Sequence, residues 1–344
     1  VEGSNINDLS TEDFNKASVF ARVAPSDKEV IVRRYQEENK ICAMTGDGIN
    51  DSLALKLANA GIAMGITGTD VAKETADMVI SDDNFVSIVN GVRTGRGLFS
   101  KIRTLIYFFI SLNIMEAAIF FTYEFIPFFQ LFSSEWQHIY IFGIVHSLPS
   151  LALVIDTIPS DVMKEPPRNE EELLNKNMWI MLLIQIIFMG LGLVLALQLT
   201  TGGIIQLNEW NLNPLISYIP LGSTPDQLIS QKARTMFITT LYIAETTFIW
   251  TFRRPNKSIY QSLRNEFSRS LLVITMFTLA LHALYICFSY PINYYVNEVF
   301  GWNLQINFMF LSITDWLICF LLAIPGHIGI EILKYFARKR KIFF

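Results

Sequence analysis

Charge is scarce in this sequence. Only 17% of its 344 residues are Asp, Glu, Lys or Arg, whereas 51% are hydrophobic and mean hydropathy is +0.36. An ordinary soluble domain carries about 25% charged residues, so one soluble domain is excluded, as is a disordered tail. No basic excess exists either. The 27 Lys and Arg are outnumbered by 31 Asp and Glu, which rules out a nucleic-acid binder driven by bulk basicity. Cysteine is rare: Cys42, Cys287 and Cys319 stand far apart, odd in number and in no metal-ligand spacing. They read as buried small residues rather than a disulfide framework. The chain begins Val1-Glu2-Gly3-Ser4, with neither an initiating Met nor a signal peptide, the pattern expected of an excised piece of something longer.

The few charges are unevenly placed. Residues 1–103 hold 12 basic and 15 acidic residues, and the remaining 241 residues hold only 31 of the 58 charges. A soluble head on a membrane body follows. A membrane-spanning helix needs about 20 apolar residues, and six runs qualify: 105–126, 137–157, 178–199, 235–252, 270–290 and 306–326. Loops 157–177 and 251–269 and the tail are rich in Lys and Arg, whereas 127–136 and 291–305 contain none. The positive-inside rule then puts the head, those two loops and the C-terminus in the cytoplasm.

The head alternates apolar runs with helical stretches. Ser18–Val23, Ile41–Met44, Gly61–Gly65 and Met78–Ile80 read as strands, and Lys28–Asn39, Ser52–Ala60 and Val71–Thr75 as helices. This rhythm predicts a parallel sheet with crossover helices and chemistry at the strands' carboxyl ends. From Asn84 the pattern turns helical and runs into the first membrane span without Pro, with Gly91, Gly95 and Gly97 as soft points. A connection that stiff can transmit a push.

Thr45-Gly46-Asp47-Gly48-Ile49-Asn50-Asp51 follows the second predicted strand. Two carboxylates on one Gly-rich turn suit Mg²⁺, which takes one or two carboxylates plus phosphate oxygens and water. Asn50 could bond a phosphoryl oxygen, and Lys28, at the end of another strand, could neutralise the same phosphate. Equally, Asp47 and Asp51 could simply cap the next helix. The residues alone leave the two readings even.

The stretch Thr45–Leu55 resembles the hinge signature of P-type ATPases. Phe20–Lys28, Gly61–Gly65, Asp82–Phe85, Met163–Arg168, Ala233–Met236 and Glu331–Lys334 follow in that family's order, and the likeness is strongest to its type II cation pumps, the calcium-pump group. The resemblance implies an α/β haloacid-dehalogenase-like partial domain with a Rossmann-type parallel sheet, followed by an all-α six-helix transmembrane bundle. Residues 1–84 would end the cytoplasmic phosphorylation domain, 85–104 form a stalk, 105–326 carry family membrane helices five to ten, and 327–344 form a basic tail. Lys28 would contact the phosphoryl group and Asp47 the Mg²⁺, with Asn50 and Asp51 supporting. The family's Asp-Lys-Thr-Gly-Thr phosphorylation motif, its Thr-Gly-Glu loop and its nucleotide-binding motif do not occur here. The rest of the pump, including its ATP-binding domain and first four membrane helices, would be the partner, and the chain alone should not turn over ATP.

Ionisable residues inside membrane spans are expensive and point to function. Asn113 and Glu116 share a face of the first span, and Glu245 falls in the fourth. By themselves they could equally bond neighbouring helices. The resemblance favours coordination of the transported ion. Counting back from Leu148-Pro149, Phe142, Val145 and His146 stand where calcium pumps place oxygen ligands. That argues against the usual two-calcium site and leaves one Ca²⁺, a proton or another monovalent cation as cargo. His146 facing Glu116 could form a titrating pair, supply an internal cation, or be a plain interior residue. Pro149 frees backbone carbonyls in the second span. Asp156 should contact the loop, and Asp315 should be wetted near the opposite membrane face. A non-catalytic membrane module that regulates a full pump is the alternative.

Overall fold

The computed structural model describes residues 1–124, 139–164, 173–213, 223–302 and 308–340. The predicted loop 127–136, the Glu165–Arg168 part of the resembling loop and the end of the tail lie outside these residues. The chain divides into two compact units, Val1–Gly95 and Arg96–Phe344.

The first unit is a small parallel sheet with crossover helices. Strands β1 (Ala43–Gly46), β2 (Ala60–Met64) and β3 (Met78–Ile80) lie in the order β1-β2-β3. Register runs Met44 to Gly61 and Ala63 to Val79. Helices α1 (Thr11–Lys16), α2 (Pro25–Glu37), α3 (Ser52–Leu57) and α4 (Asp70–Thr75) complete the unit. Parallel neighbours cannot be joined by a hairpin, so α3 and α4 supply the crossovers. Val32, Ala54 and Ala58 form one apolar cluster, and Leu55, Ala63 and Ala72 another.

The run Ser18–Val23 is not a strand. It makes one isolated bridge, Ala21 to Glu2, Val19 is exposed and Arg22 takes a φ of 51°. Its backbone bonds the N-terminal segment instead, Ala21 accepting from the Gly3 amide at 2.9 Å and donating to the Val1 carbonyl at 2.8 Å. The sheet therefore has three strands rather than four, and Lys28 belongs to the first turn of α2, not to a strand end.

The second unit is helical. α5 (Phe85–Glu124), whose residues up to Gly95 belong to the first unit, runs unbroken through Gly91, Gly95 and Gly97. A π-helical turn, Ile141–Val145, leads into α6 (Ser147–Ile155). Then come α7 (Lys176–Thr201), α8 (Pro225–Phe252), the short α9 (Ile259–Asn265), α10 (Arg269–Phe300) and α11 (Ile313–Lys339). Among the described residues four helices are long and apolar enough to cross a membrane: α5, α7, α10 and α11. The run 137–157 is represented by the shorter apolar stretch Gly143–Ile155, and the run expected at 306–326 begins its helix only at Ile313.

α8, which covers the run 235–252, is long enough but not apolar enough to join those four. The reason is its position. α6, α7, α10 and α11 pack around it, and nearly every residue from Lys232 to Phe252 is buried. A helix shielded on all sides meets protein rather than lipid, so it can carry Thr235, Thr239, Thr240, Glu245, Thr246 and Thr251. Tyr107 of α5 stacks on its Phe252 with ring centroids 3.8 Å apart.

α5 also grips the end of α6 and the segment after it. Arg96 donates to the Val162 carbonyl at 3.0 Å and Lys101 to the Val154 carbonyl at 3.1 Å. Between them Gly97 admits Ile158: a Cβ there would stand 2.4 Å from an Ile158 methyl. Of the cysteines, Cys319 is buried but Cys42 and Cys287 are only partly so, and all three are free thiols.

Candidate functional site

In the first unit, the turn after β1 brings Lys28 and Asp51 together. Asp51 is 5% exposed, and its Oδ1 accepts from the Lys28 ammonium. Its Oδ2 faces the Asp47 and Gly48 amides, each at 3.3 Å. Burial pushes the Asp51 carboxyl up, but Lys28 and those amides outweigh it and hold the group below the usual range. Gly46 makes the turn possible, since a Cβ at that position would lie 2.5 Å from the Asp51 Cβ. The side chains of Asp47 and Asn50 are exposed, so they are available to a ligand in solution. Asp51, by contrast, is already engaged as a brace for the turn.

One anchor here did not stand out as a site in the sequence. Asp83, at φ 48°, accepts from the Gly65, Ile66 and Thr67 amides and from the Thr67 hydroxyl at 2.7–2.9 Å. These bonds, led by the Ile66 amide, hold its carboxyl down at about 2. A positive φ, which Asp tolerates better than most residues, is not visible as a sequence pattern.

In the second unit three ionisable side chains from three segments meet. Glu116 comes from α5, His146 from the junction of the π-turn with α6, and Glu245 from the middle of α8. His146 Nε2 lies 3.1 Å from Glu116 Oε2, and His146 Nδ1 lies 3.3 Å from Glu245 Oε2. Exposures are 2%, 5% and 0% for Glu116, His146 and Glu245. Isolated charges this deep cost several kcal/mol each, roughly, so they require mutual pairing or a bound cation. One ligand atom from each residue lies within 4.8 Å of the other two. The backbone bends at this point: the His146 amide bonds back five residues to Ile141 at 3.1 Å, and Pro149 has no amide to donate to the Val145 carbonyl. π-turns of this kind recur at functional sites.

Asn113 does not join the cluster. Its side chain is exposed and donates to the Phe109 carbonyl of its own helix at 2.7 Å. Three residues separate it from Glu116, yet about 300° of helical turn is 60° short of a full circle. That offset carries Asn113 off the face pointing to α8.

Two further polar networks were not anticipated. Asp156, expected to contact the loop that follows it, binds two buried guanidinium groups about 100 positions on, Arg253 Nε at 3.0 Å and Arg254 Nη1 at 3.1 Å. Arg254 continues to Glu266, which also binds Lys257. Asp315 is 2% exposed rather than wetted. Its Oδ1 lies 2.8 Å from the fully buried Lys232 ammonium, which supplies the compensating charge. A surface cleft of about 560 Å³, lined by Thr251, Ile259, His327 and Tyr335, is apart from all of these and mostly apolar.

The family described as "Cation transporting ATPase, C-terminus" matches residues 140–336. The chain is similar to "Calcium-transporting ATPase 1" of Bacillus cereus, with 33% identity over 337 residues, 97% of this chain and 35% of the relative. "Calcium-transporting ATPase 1" of Lactococcus lactis is 32% identical over 323 residues, 94% of this chain and 32% of the relative. "Sodium/potassium-transporting ATPase subunit alpha-1" of Catostomus commersonii is 39% identical over 207 residues, covering 57% of this chain and 19% of the relative. The chain spans about a third of the length of the first two.

Proposed function

Because the chain belongs to the type II cation-transporting P-type ATPases, whose C-terminal part it matches, we propose that it supplies part of the ion path and the Mg²⁺- and phosphate-facing turn of an ATP-driven pump with an aspartyl-phosphate cycle. The observation that carries this reading is the buried Glu116–His146–Glu245 cluster, held between three segments of the helical unit. Glu116 and Glu245 bind the transported cation, and His146 borders the path. Asn113, about 60° around α5 from Glu116, would add its amide oxygen only on leaving the Phe109 carbonyl and turning toward the cluster.

The three-stranded parallel sheet is the edge of a haloacid-dehalogenase-like phosphorylation domain, 1–84. Residues 85–104 form the stalk, 105–326 six membrane helices, and 327–344 a basic tail. The head and C-terminus face the cytoplasm. α8 is one of the six despite its polar residues, as its full burial among its neighbours supports. In the full pump Asp47, exposed beside the turn, would hold Mg²⁺, which neutralises phosphate charge. Lys28 would contact the phosphoryl oxygens and Asn50 donate to them, while Asp51 keeps Lys28 and the turn in place. Such catalysis is positioning and charge stabilisation, so ATP hydrolysis needs the remainder of the pump.

The relatives' names favour Ca²⁺ as cargo; protons or another monovalent cation, and a non-catalytic module that regulates a full pump, are the competing readings. The test is phosphoenzyme formation by the full-length pump across Ca²⁺, Na⁺, K⁺, Mg²⁺ and pH. One cation should stimulate it, and Glu116→Gln should shift that dependence at least tenfold. Stimulation untouched by Glu116→Gln removes the site, and vanadate-sensitive ATP hydrolysis by this chain alone removes the division of labour.

A further inference from the structure

Among the described residues, three histidines of the helical unit are held in two ways. His282 is fully buried, with Nδ1 2.6 Å from the Tyr140 hydroxyl and Nε2 3.2 Å from Thr239 Oγ1. One neutral tautomer satisfies both contacts. His327 sits likewise between the Thr247 and Thr251 hydroxyls at 3.0 and 2.8 Å. His146 differs, because each ring nitrogen faces a carboxylate. Beyond it, Glu116 Oε1 and Glu245 Oε1 are buried with no hydrogen-bond partner among the described residues. Buried acceptors without a partner mark a place for something that is not protein.

The donor set decides what fits. Ca²⁺ takes six to eight oxygens and gains little from an imidazole. Two carboxylates with one imidazole suit a borderline first-row divalent ion, which accepts nitrogen and oxygen together. With bonds of about 2.0–2.2 Å, tetrahedral ligand atoms lie roughly 3.3–3.6 Å apart. The cluster's ligand atoms, all within 4.8 Å of one another, would have to close by little more than an ångström. Only one ring nitrogen can bind a given ion, and the other would then still face a carboxylate able to accept its N–H. That outer contact fixes ring orientation in many metal sites.

We propose that His146 is an inner ligand of the cation site, making it selective for a borderline first-row divalent ion such as Zn²⁺ or Co²⁺ over Ca²⁺. The proposal rests on the reading that Glu116 and Glu245 hold the transported ion and departs from it in the ion's identity, putting a first-row divalent ion where the relatives' names favour Ca²⁺. The test uses the protein in lipid nanodiscs with Co²⁺ as a visible probe and Zn²⁺ and Ca²⁺ as competitors. Co²⁺ should bind one to one with the absorption of a nitrogen–oxygen site, yield to equal Zn²⁺, and resist a hundredfold excess of Ca²⁺.

His146→Gln, which keeps a polar group of similar reach, should weaken Zn²⁺ binding about 10- to 100-fold while Ca²⁺ binding holds or improves. His146→Asn serves as a second variant, and each variant is first checked for an unchanged unfolding temperature. Displacement of Co²⁺ by equal Ca²⁺, unchanged Zn²⁺ binding in both variants, or no one-to-one Co²⁺ binding would overturn the proposal. Glu116→Gln and Glu245→Gln separate it from the broader reading. If they abolish all cation binding while His146→Gln changes nothing, the transport site stands and only the selectivity claim falls.

Discussion

Replacing Lys232 with Met should unfold the helical unit at a much lower temperature, and the structure sets how much lower. The Lys232 ammonium is wholly buried and reaches Asp315 Oδ1 at 2.8 Å, the Gln206 carbonyl at 2.7 Å and Asn211 Oδ1 at 2.9 Å. Removing one partner of a buried pair costs about 3–5 kcal/mol, because the other charge is left without compensation. Here the lower end applies. Asp315 Oδ2 keeps three donors: the Ser312 amide at 2.9 Å, the Ser312 hydroxyl at 2.7 Å and Asn211 Nδ2 at 3.0 Å. A loss of about 3 kcal/mol at roughly 2–4 °C per kcal/mol predicts a fall of about 6–12 °C. Asp315→Leu should cost at least as much, since the ammonium then keeps only neutral acceptors. The double variant should recover most of the loss, giving an interaction of at least about 2 kcal/mol. Unfolding can be followed in detergent by labelling buried Cys319, in a background where the half-buried Cys42 and Cys287 are replaced by Ser. Single variants within about 0.5 kcal/mol of the parent, or losses that simply add, would refute the assignment of a stabilising buried pair.

Asp83→Asn should flatten the acid unfolding of the head. The folded carboxyl titrates at about 2 against an ordinary 3.8. Its contribution is therefore present above about pH 4 and lost as pH falls toward 2; equal acid midpoints for parent and variant in a circular-dichroism titration would contradict this. Asp156→Asn should destabilise the helical unit by about 3–5 kcal/mol, because two buried guanidinium groups lose their shared carboxylate. Thermal unfolding within 2 °C of the parent would show the pair to be idle. On α5, Gly97→Val should cost about 1–3 kcal/mol by forcing Ile158 aside, whereas Gly95→Ala, with nothing within 4 Å, should stabilise by about 0.5–1 kcal/mol. Equal melting shifts for the two would remove the close-packing argument.

Much of the head was legible because its signals are local. Met78–Ile80 formed a strand as expected, and Gly61–Gly65 and Ile41–Met44 shifted by only one or two residues to β2 and β1. Ser18–Val23 looked equally strand-like. A strand needs a partner, however, and pairing is a tertiary fact that an apolar run does not report. The same limit governed α8. Hydropathy reads a helix as though lipid surrounded it, so a helix enclosed by protein can carry polar residues and lose the signature of a span.

The cluster shows where the reading of single residues ended. Glu116 and Glu245 were recognisable as costly charges in apolar surroundings, and both are in the buried cluster with His146. Asn113 was tied to Glu116 by a spacing of three, which places neighbours on one broad helix face but does not choose the part that meets α8. For His146 the sequence left a titrating pair, an internal cation and a plain interior residue open. His282, an equally buried imidazole, has hydroxyl partners that one neutral tautomer satisfies. His146 has a carboxylate at each nitrogen. The difference depends on partners 30 and 99 positions away in the chain, brought close by the packing of α5 and α8 around one irregular turn. A substitution that straightened that turn, such as Pro149→Ala, should therefore move His146 relative to Glu245 and alter cation binding without touching any ligand.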